Sequence, residues 1–243
     1  MKKLTLSQVE SFLRIVFILL AVASIVQNIL VRNWNVTLRA TGTLNLLLIL
    51  TFFHKLTRIV IPVTLKLTIG LFIFASMYLG AVHFFMNRFF WWDDMLHIIS
   101  AAVVGLMGYL LIHSLNRDLQ IESKLSPFFI ALFVFSFSAM VHVMWEIFEY
   151  GMDSWAGQNM QRAKDLLLPD GSYDSRLGLM DTMTDLLVDM AGAFFAGVFS
   201  YVYSVKLRKG EKVRWDMKDA FLKDNQHLFD PVADPTPSTE DKS

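Results

Sequence analysis

The fold of this chain depends on one stretch of sequence, Asp181-Thr182-Met183-Thr184-Asp185-Leu186-Leu187-Val188-Asp189-Met190-Ala191-Gly192-Ala193. Its three carboxylates recur at every fourth residue, which on an α-helix places them in one stripe about a turn apart. The apolar run that follows continues to Val205, and the whole segment is long enough to cross a bilayer. Carboxylates inside a membrane-spanning helix are costly and usually face a protein interior or a water-filled cavity. The rest of the chain is therefore expected to supply partners for them.

The composition is that of a membrane protein. The chain has 243 residues, of which 54% are hydrophobic, and its mean hydropathy is +0.45. Several long runs are almost free of charge, so we predict an all-α polytopic membrane protein with six transmembrane helices in one bundle. Cysteine is absent, which excludes disulfides, thiolate zinc sites and cysteine nucleophiles, and leaves six histidines as the soft ligands.

Six apolar segments are separated by short polar or basic connections. Ala21-Val22-Ala23 resembles a signal-peptide cleavage site, but the apolar run continues past it, which favours a retained first span. The predicted spans cover roughly residues 12–31, 38–53, 67–85, 95–115, 127–150 and 182–205.

These spans are predicted to form one transmembrane domain, residues 1–206. The chain after it is hydrophilic, and residues 207–243 are predicted to be a cytoplasmic, largely disordered tail. Within the tail, residues 213–229 have a weak amphipathic pattern that is compatible with a short helix. In the sixth span, Gly192 and Ala193 indicate close helix packing through small residues.

The distribution of basic residues predicts the orientation in the membrane. With the N-terminus inside, the segments on the cytoplasmic side hold twelve Lys and Arg near the membrane, and the segments on the outer side hold six. Because cytoplasmic loops carry an excess of Lys and Arg, we expect both termini to be cytoplasmic.

Under that topology three polar clusters fall at one depth, close to the outer face. They begin the fourth span, end the fifth and begin the sixth, and at about 1.5 Å per helical residue all lie within roughly 12 Å of the outer interface. The clusters consist of Asp93, Asp94 and His97; His142, Glu146 and Glu149; and Asp181, Asp185 and Asp189. We expect His97, Glu146 and Asp185 to share one polar pocket. Burying polar groups this deep in the membrane costs too much free energy unless they bond to one another.

The negative charge of so many carboxylates must be compensated, and this can happen in three ways. Some carboxylates could be protonated, a basic residue of the outer loop (Arg162, Lys164 or Arg176) could fold in as a counter-ion, or a divalent cation could bind among them. Carboxylate oxygens with imidazole suit Mg²⁺, Mn²⁺, Zn²⁺ or Fe²⁺, and the pattern does not choose between them. The candidate ligands are Asp94, His97, Glu146, Asp185 and Asp189, and the candidate catalytic residues are Glu149, as a base, and Asp181.

At these residues the chain resembles the VanZ-like membrane proteins, and within them the YjdF-type inner-membrane proteins. The resemblance rests on Asp94-Met95-Leu96-His97, on Trp145-Glu146-Ile147-Phe148-Glu149 and on the stripe from Asp181 to Ala193. It covers roughly residues 90–200, within the polar half of the domain at about 90–206. It implies a multi-pass protein of the bacterial cell (inner) membrane and of the cell envelope, and it implies no particular reaction.

Three functions fit these observations. The first is a divalent-metal-dependent enzyme that acts at the outer leaflet on a lipid or a lipid-linked envelope precursor. The second is a non-catalytic membrane protein whose polar network fixes helix packing. The third is a proton-coupled transporter, which is weakened because the two halves of the chain show no matching repeats. Membrane lipids are the expected partners, and nucleic acid is not.

The basic-residue distribution leads to a test of topology. Reporter tags at Met1 and Ser243 should be cytoplasmic, and a tag near Ser172 should be outside. Labelling with a membrane-impermeant reagent on intact cells distinguishes the two sides. A tag near Ser172 that reports from the cytoplasm would contradict this orientation and any site at the outer leaflet.

Overall fold

The computed structural model describes residues 4–116, 124–211 and 216–228, and within these ranges the chain is all-α apart from one isolated bridge between Leu167 and Tyr173. Six helical segments are long and apolar enough to cross a membrane, so the predicted fold class is confirmed. The helices are α1 (Leu6–Leu30), α2 (Trp34–Thr57), α3 (Val63–Ile73), α4 (Phe85–Arg88), α5 (Trp92–Asn116), α6 (Pro127–Trp155), α7 (Arg176–Arg208) and α8 (Asp216–Asp224).

Local sequence explains where several helices begin. Thr5 and Gln8 form a capping box at the start of α1, in which each side chain bonds the other residue's backbone N–H. The Asn33 side chain accepts from Val36 N at the start of α2. Before α6, the Ser126 hydroxyl accepts from Phe129 N, and Pro127 occupies the first helical position.

The third span is irregular. It begins as α3 and continues as a π-helix over Phe74–Val82, a conformation that is rare at this length. The span ends there because Phe84 has a φ of +61°, a left-handed conformation that a right-handed helix cannot contain. The predicted end of this span at residue 85 is therefore about one turn late. Phe17 of α1 stacks on Phe74 with ring centroids 4.1 Å apart, which joins the first and third spans.

The outer surfaces of the polar helices are apolar, as a lipid-facing surface should be. On α6 the polar residues His142, Glu146 and Glu149 are buried, while their neighbours Met144 and Ile147 are exposed. Helix α7 has the same arrangement: its carboxylate stripe faces the protein interior and its apolar side chains face outward. The polar face of each helix is therefore the one that packs against protein.

Helices α5, α6 and α7 form the more tightly packed half of the bundle, and small residues make this possible. A Cβ added to Gly192 on α7 would lie against the carbonyl oxygen of Ile98 and 2.8 Å from Ala101 Cβ on α5. Further along the same seam, a Cβ added to Gly105 would lie 2.6 Å from Ala196 Cβ. The expected small-residue packing at Gly192 is confirmed, and it brings the backbones of α5 and α7 close together beside the polar clusters.

The segment after α7 contains a further helix. Helix α8 and a 3₁₀ turn at Gln226–Leu228 lie within the region predicted as the amphipathic part of the tail. Asn225 is fully buried and pairs with the backbone of Val60, accepting from its N–H at 2.7 Å and donating to its carbonyl at 2.8 Å. This pairing holds the segment against the connection between α2 and α3. Residues 230–243, predicted to be disordered, lie outside the described residues.

The contact at Gly192 gives a stability prediction. Gly192→Ala should destabilise the protein by about 1–3 kcal/mol, the usual cost of overpacking a tight contact, because the new methyl group meets the Ile98 carbonyl and Ala101. Gly70→Ala on α3 is the matched control, since its Cβ would meet only Leu50 Cδ2 at 3.8 Å. Thermal unfolding in detergent measures both. Equal melting temperatures for the two variants would show that α5 and α7 are free to separate.

Candidate functional site

Three helices bring buried polar groups to one end of the bundle. His97 lies in the second turn of α5, Glu146 in the last third of α6, and Asp185 in the third turn of α7. One ligand atom from each of these three residues lies within 4.8 Å of the other two, and all three residues are buried. The predicted convergence of His97, Glu146 and Asp185 is therefore present in the structure.

The imidazole of His97 is oriented by Asp189. Its Nδ1 lies 3.2 Å from each carboxylate oxygen of Asp189, and because a carboxylate only accepts, Nδ1 carries the proton of this hydrogen bond. The other ring nitrogen, Nε2, lies 4.0 Å from Asp93 Oδ1 and 4.0 Å from Asp185 Oδ2. His97 thus presents Nε2 toward the carboxylates while Asp189 holds the ring from behind.

Asp189 is itself enclosed, with no solvent exposure. His142 Nε2 lies 3.6 Å from Asp189 Oδ1, and the hydroxyl of Ser100 lies 2.9 Å from the same nitrogen. The ring of His142 is fixed through Nδ1, which donates to the carbonyl of Ser138 at 2.9 Å. Asp189 and the two imidazoles are therefore connected by hydrogen bonds and close polar contacts. They form a layer beneath the site and do not line its surface.

Glu146 has no such support. It is 5% exposed, and neither of its carboxylate oxygens makes a hydrogen bond of normal geometry within the described residues, although the Thr182 hydroxyl lies near enough to interact with it. Asp181 Oδ2 also makes no such hydrogen bond there. Buried polar atoms are nearly always paired, and an unpaired one calls for an explanation such as a bound ion. Glu146 belongs to the same group of possible ligand atoms as His97.

A second group of possible ligand atoms overlaps the first. Asp93, Asp181 and Asp185 also place one oxygen each within 4.8 Å of one another. Asp93 and Asp181 are partly buried, so this group lies nearer the surface than the first. Asp185 is common to both groups.

Three residues from the predicted site lie outside both groups. Asp94 lines a cleft of about 340 Å³, whose wall also includes Arg162, Asp165, Leu177, Met180, Asp181 and Thr184. Glu149 is buried on α6, three residues beyond Glu146 on the same face. Asp189, also predicted as a ligand, lies on the Nδ1 side of His97, away from Nε2.

Of the three basic residues in the connection between α6 and α7, Arg162 is the one that lines the cleft. Its Nε donates to Asp165 at 2.9 Å, and this hydrogen bond raises the pKa of Arg162 above its ordinary value. Lys164 donates instead to the carbonyls of Gly157 and Gln158, and Arg176 pairs with Asp174.

The connection around Arg162 is held in place by hydrogen bonds. The carboxylate of Asp153 accepts from Met160 N at 2.6 Å and from Gln161 N at 2.9 Å. Gln161 Nε2 then donates to the hydroxyl of Thr182 on α7 at 2.7 Å. Arg162 therefore comes directly after a segment that these hydrogen bonds hold in place. In the described part of the chain, no Lys or Arg comes within ion-pairing distance of the clustered carboxylates, whose ion-pair contacts are with His97 and His142.

Sequence reasoning missed part of this arrangement. Asp93, rather than Asp94, belongs to a ligand group, although the two are adjacent and both lie about one turn before His97. Ser100 and Ser138 also escaped notice, yet each lies three or four residues from a histidine of the site. Helical spacing from His97 and His142 was the available signal for the two serines.

Comparison with known proteins agrees with a membrane protein of unassigned activity. Residues 10–206 match the family model described as "Predicted membrane protein (DUF2238)". An "Uncharacterized protein" of Thermotoga maritima is 29% identical over 147 residues, a region that covers 58% of this chain and 64% of the relative. No solved structure gives a significant match.

The two layers of the site should respond oppositely to substitution when no metal is present. Asp189→Ala removes the partner of His97 and should destabilise the protein by about 3–5 kcal/mol, as loss of one member of a buried pair does. Glu146→Gln removes a buried charge that has no protein partner, so it should be neutral or stabilising. Thermal melts in the presence of a chelator compare the two variants. A Glu146→Gln protein as unstable as Asp189→Ala would show that Glu146 has a structural partner.

Proposed function

The chain belongs to the DUF2238 family of predicted membrane proteins, and we propose that it is a divalent-cation-dependent enzyme that acts on a lipid or lipid-linked substrate. One observation carries the proposal. Glu146 is 5% exposed, neither of its carboxylate oxygens makes a hydrogen bond of normal geometry in the described part of the chain, and one of them lies within 4.8 Å of ligand atoms of His97 and Asp185.

The donor atoms fit a divalent cation. One imidazole nitrogen and two carboxylates suit Mn²⁺, Fe²⁺ or Zn²⁺, and the carboxylate-rich surroundings also suit Mg²⁺. The hydrogen bond from His97 Nδ1 to Asp189 leaves Nε2 of a neutral ring with its lone pair on the side of Asp185 and Asp93. Three groups that only accept then face one another, and a cation between them is the simplest compensation.

The residues of the site have distinct roles under this proposal. His97, Glu146 and Asp185 hold the cation, and Asp189 fixes the ring of His97 as carboxylates commonly do behind a metal-bound histidine. His142 and Ser100 keep Asp189 in place. Glu149, buried one turn beyond Glu146, is the candidate base. When bound, the cation supplies Lewis acidity that polarises a phosphoryl or carbonyl oxygen and acidifies a bound water.

The cleft beside Asp181 is the proposed substrate entrance. Its wall combines the guanidinium of Arg162 with the apolar side chains of Leu177 and Met180. Within the described residues Arg162 bonds to Asp165 through Nε, which leaves its terminal nitrogens for a ligand oxygen. An anionic headgroup that carries an acyl or prenyl chain matches this combination of charge and apolar surface. A bound cation would offset the negative charge of Asp94, Asp165 and Asp181 in the same wall.

The proposed location is the outer leaflet of a bacterial cell membrane, with both termini in the cytoplasm. The excess of basic residues on the side of the termini supports this orientation. The resemblance of residues 90–200 to VanZ-like and YjdF-type proteins supports a role in the cell envelope. The polar end of the bundle then faces outward, where lipid-linked envelope precursors are present.

Asp185→Asn tests the proposal. A cation that binds only the folded protein stabilises it, by about 2.7 kcal/mol when its concentration is 100 times Kd. Wild-type protein should therefore melt at a higher temperature with Mn²⁺, Mg²⁺ or Zn²⁺ than with a chelator, in a concentration-dependent way. Asp185→Asn should lose this shift and still fold, because the amide keeps the shape but loses the charge that a hard cation requires.

Activity can be followed on the same two proteins. Wild type in vesicles of bacterial polar lipids, supplied with the cation that shifts its melting curve, should change the lipid composition seen by mass spectrometry, and Asp185→Asn should not. Asp174→Asn, a partly buried carboxylate that pairs with Arg176 and belongs to neither ligand group, is the control. If no divalent ion shifts the melting temperature, the cluster is a structural network in which protonated His97 supplies the positive charge, and the proposal is wrong.

A further inference from the structure

We infer that the site holds two divalent cations that share Asp185 as a bridging carboxylate. This inference rests on the proposed function, because the first cation is the one assigned above to His97, Glu146 and Asp185. The second would bind between Asp93, Asp181 and Asp185.

The geometry separates the two positions. Each group brings one ligand atom from three residues within 4.8 Å, and Asp185 is the residue that belongs to both. Asp185 is 2% exposed, and its Oδ2 lies 4.0 Å from His97 Nε2, beyond hydrogen-bonding distance. A buried carboxylate between two sets of acceptors, without a hydrogen bond of its own in the described residues, is placed to offer one oxygen to each side.

Unpartnered atoms occur on both sides of Asp185. Glu146 contributes two such oxygens to the inner group, and Asp181 Oδ2 is buried and unpartnered in the outer group. One cation at the inner position would satisfy Glu146 and leave Asp181 unexplained. The outer group also lacks any imidazole, so a hard cation such as Mg²⁺ or Mn²⁺ suits it.

The charge of the cluster favours two cations as well. Five carboxylates lie within the two groups and the layer beneath them: Asp93, Glu146, Asp181, Asp185 and Asp189. Within the described ranges, the positively charged partners at ion-pairing distance are limited to His97 and His142 when protonated. One divalent cation would leave most of this negative charge uncompensated in fully or partly buried side chains, which is costly in a membrane protein.

The outer position decides what the substrate meets. Asp181 lines the cleft together with Arg162, so a cation on Asp181 lies at the entrance and Asp181 acts as a ligand rather than as a proton carrier. Paired divalent ions are the usual means of holding a phosphoryl group during displacement. The substrate class is therefore a lipid that carries a phosphate ester or diphosphate.

The test is the number of Mn²⁺ ions bound per chain. Purified full-length protein in detergent is stripped with chelator, reloaded with Mn²⁺ and analysed by elemental mass spectrometry, with low-temperature electron paramagnetic resonance to detect spin coupling. Wild type should bind two coupled ions. Asp93→Asn and Asp181→Asn should each bind one uncoupled ion, Glu146→Gln should bind one, and Asp185→Asn should bind fewer than one.

Asp94→Asn is the matched control for Asp93→Asn. Asp94 is adjacent to Asp93 and lines the cleft but belongs to neither group, so this variant should keep two coupled ions. One uncoupled ion in the wild type, unchanged by Asp93→Asn and Asp181→Asn, would overturn the second position and leave the proposed function intact. No ion in the wild type would overturn both. Melting curves establish that each variant is folded. Because two outer variants are used, the test still stands if one of them fails to fold.

Discussion

The structure depends on the burial of carboxylates at one end of a membrane bundle whose described part places no Lys or Arg within ion-pairing distance of them. Asp185 and Asp189 are almost fully enclosed between α5 and α6. Charge in such a place must be compensated by hydrogen bonds, by imidazole or by an ion. The choice of neighbours follows from this requirement: two histidines face α7 from α5 and α6, and small residues let the helices approach closely enough for them to reach it.

The compensation is uneven between the two layers of the cluster. Beneath the site, Asp189 holds His97 at Nδ1, while His142 is held at Nε2 by the Ser100 hydroxyl and at Nδ1 by the Ser138 carbonyl. Above it, Glu146 and Asp181 have buried oxygens without partners. A rigid lower layer with an unsatisfied upper layer is what a ligand site requires, because the lower layer sets the geometry and the upper layer does the binding. A purely structural network would be expected to satisfy both.

The two halves of the chain contribute differently. The first three spans pack through aromatic stacking of Phe17 and Phe74 and through the hydroxyl contact of Ser24 with Tyr78. They provide no residue to either ligand group. The connection between α6 and α7 instead belongs to the site, because Asp153 and Thr182 fix the segment that carries Arg162 over the cleft. The polar end is therefore built by α5, α6, α7 and the segment that joins the last two.

The sequence by itself determined the all-α class, the six spans and the depth of the polar clusters. Helical periodicity and hydrophobic length are local properties, so the stripe at Asp181, Asp185 and Asp189 and its matching clusters on the neighbouring spans could be recognised without a structure. The convergence of His97, Glu146 and Asp185 followed from depth and the cost of burying charge. These inferences needed no knowledge of how the helices rotate.

Only the tertiary structure decided what each polar residue contacts. Rotation of a helix about its axis is set by packing, and successive residues differ by about 100° around it, so spacing did not distinguish Asp93 from Asp94. The close approach at Gly192 fixes that rotation for α5 against α7. It places Asp189 behind His97 rather than beside Glu146, and it leaves Asp185 between the two ligand groups. Roles within the cluster depend on ångström-scale distances between helices, and those distances come from side-chain packing across the whole bundle.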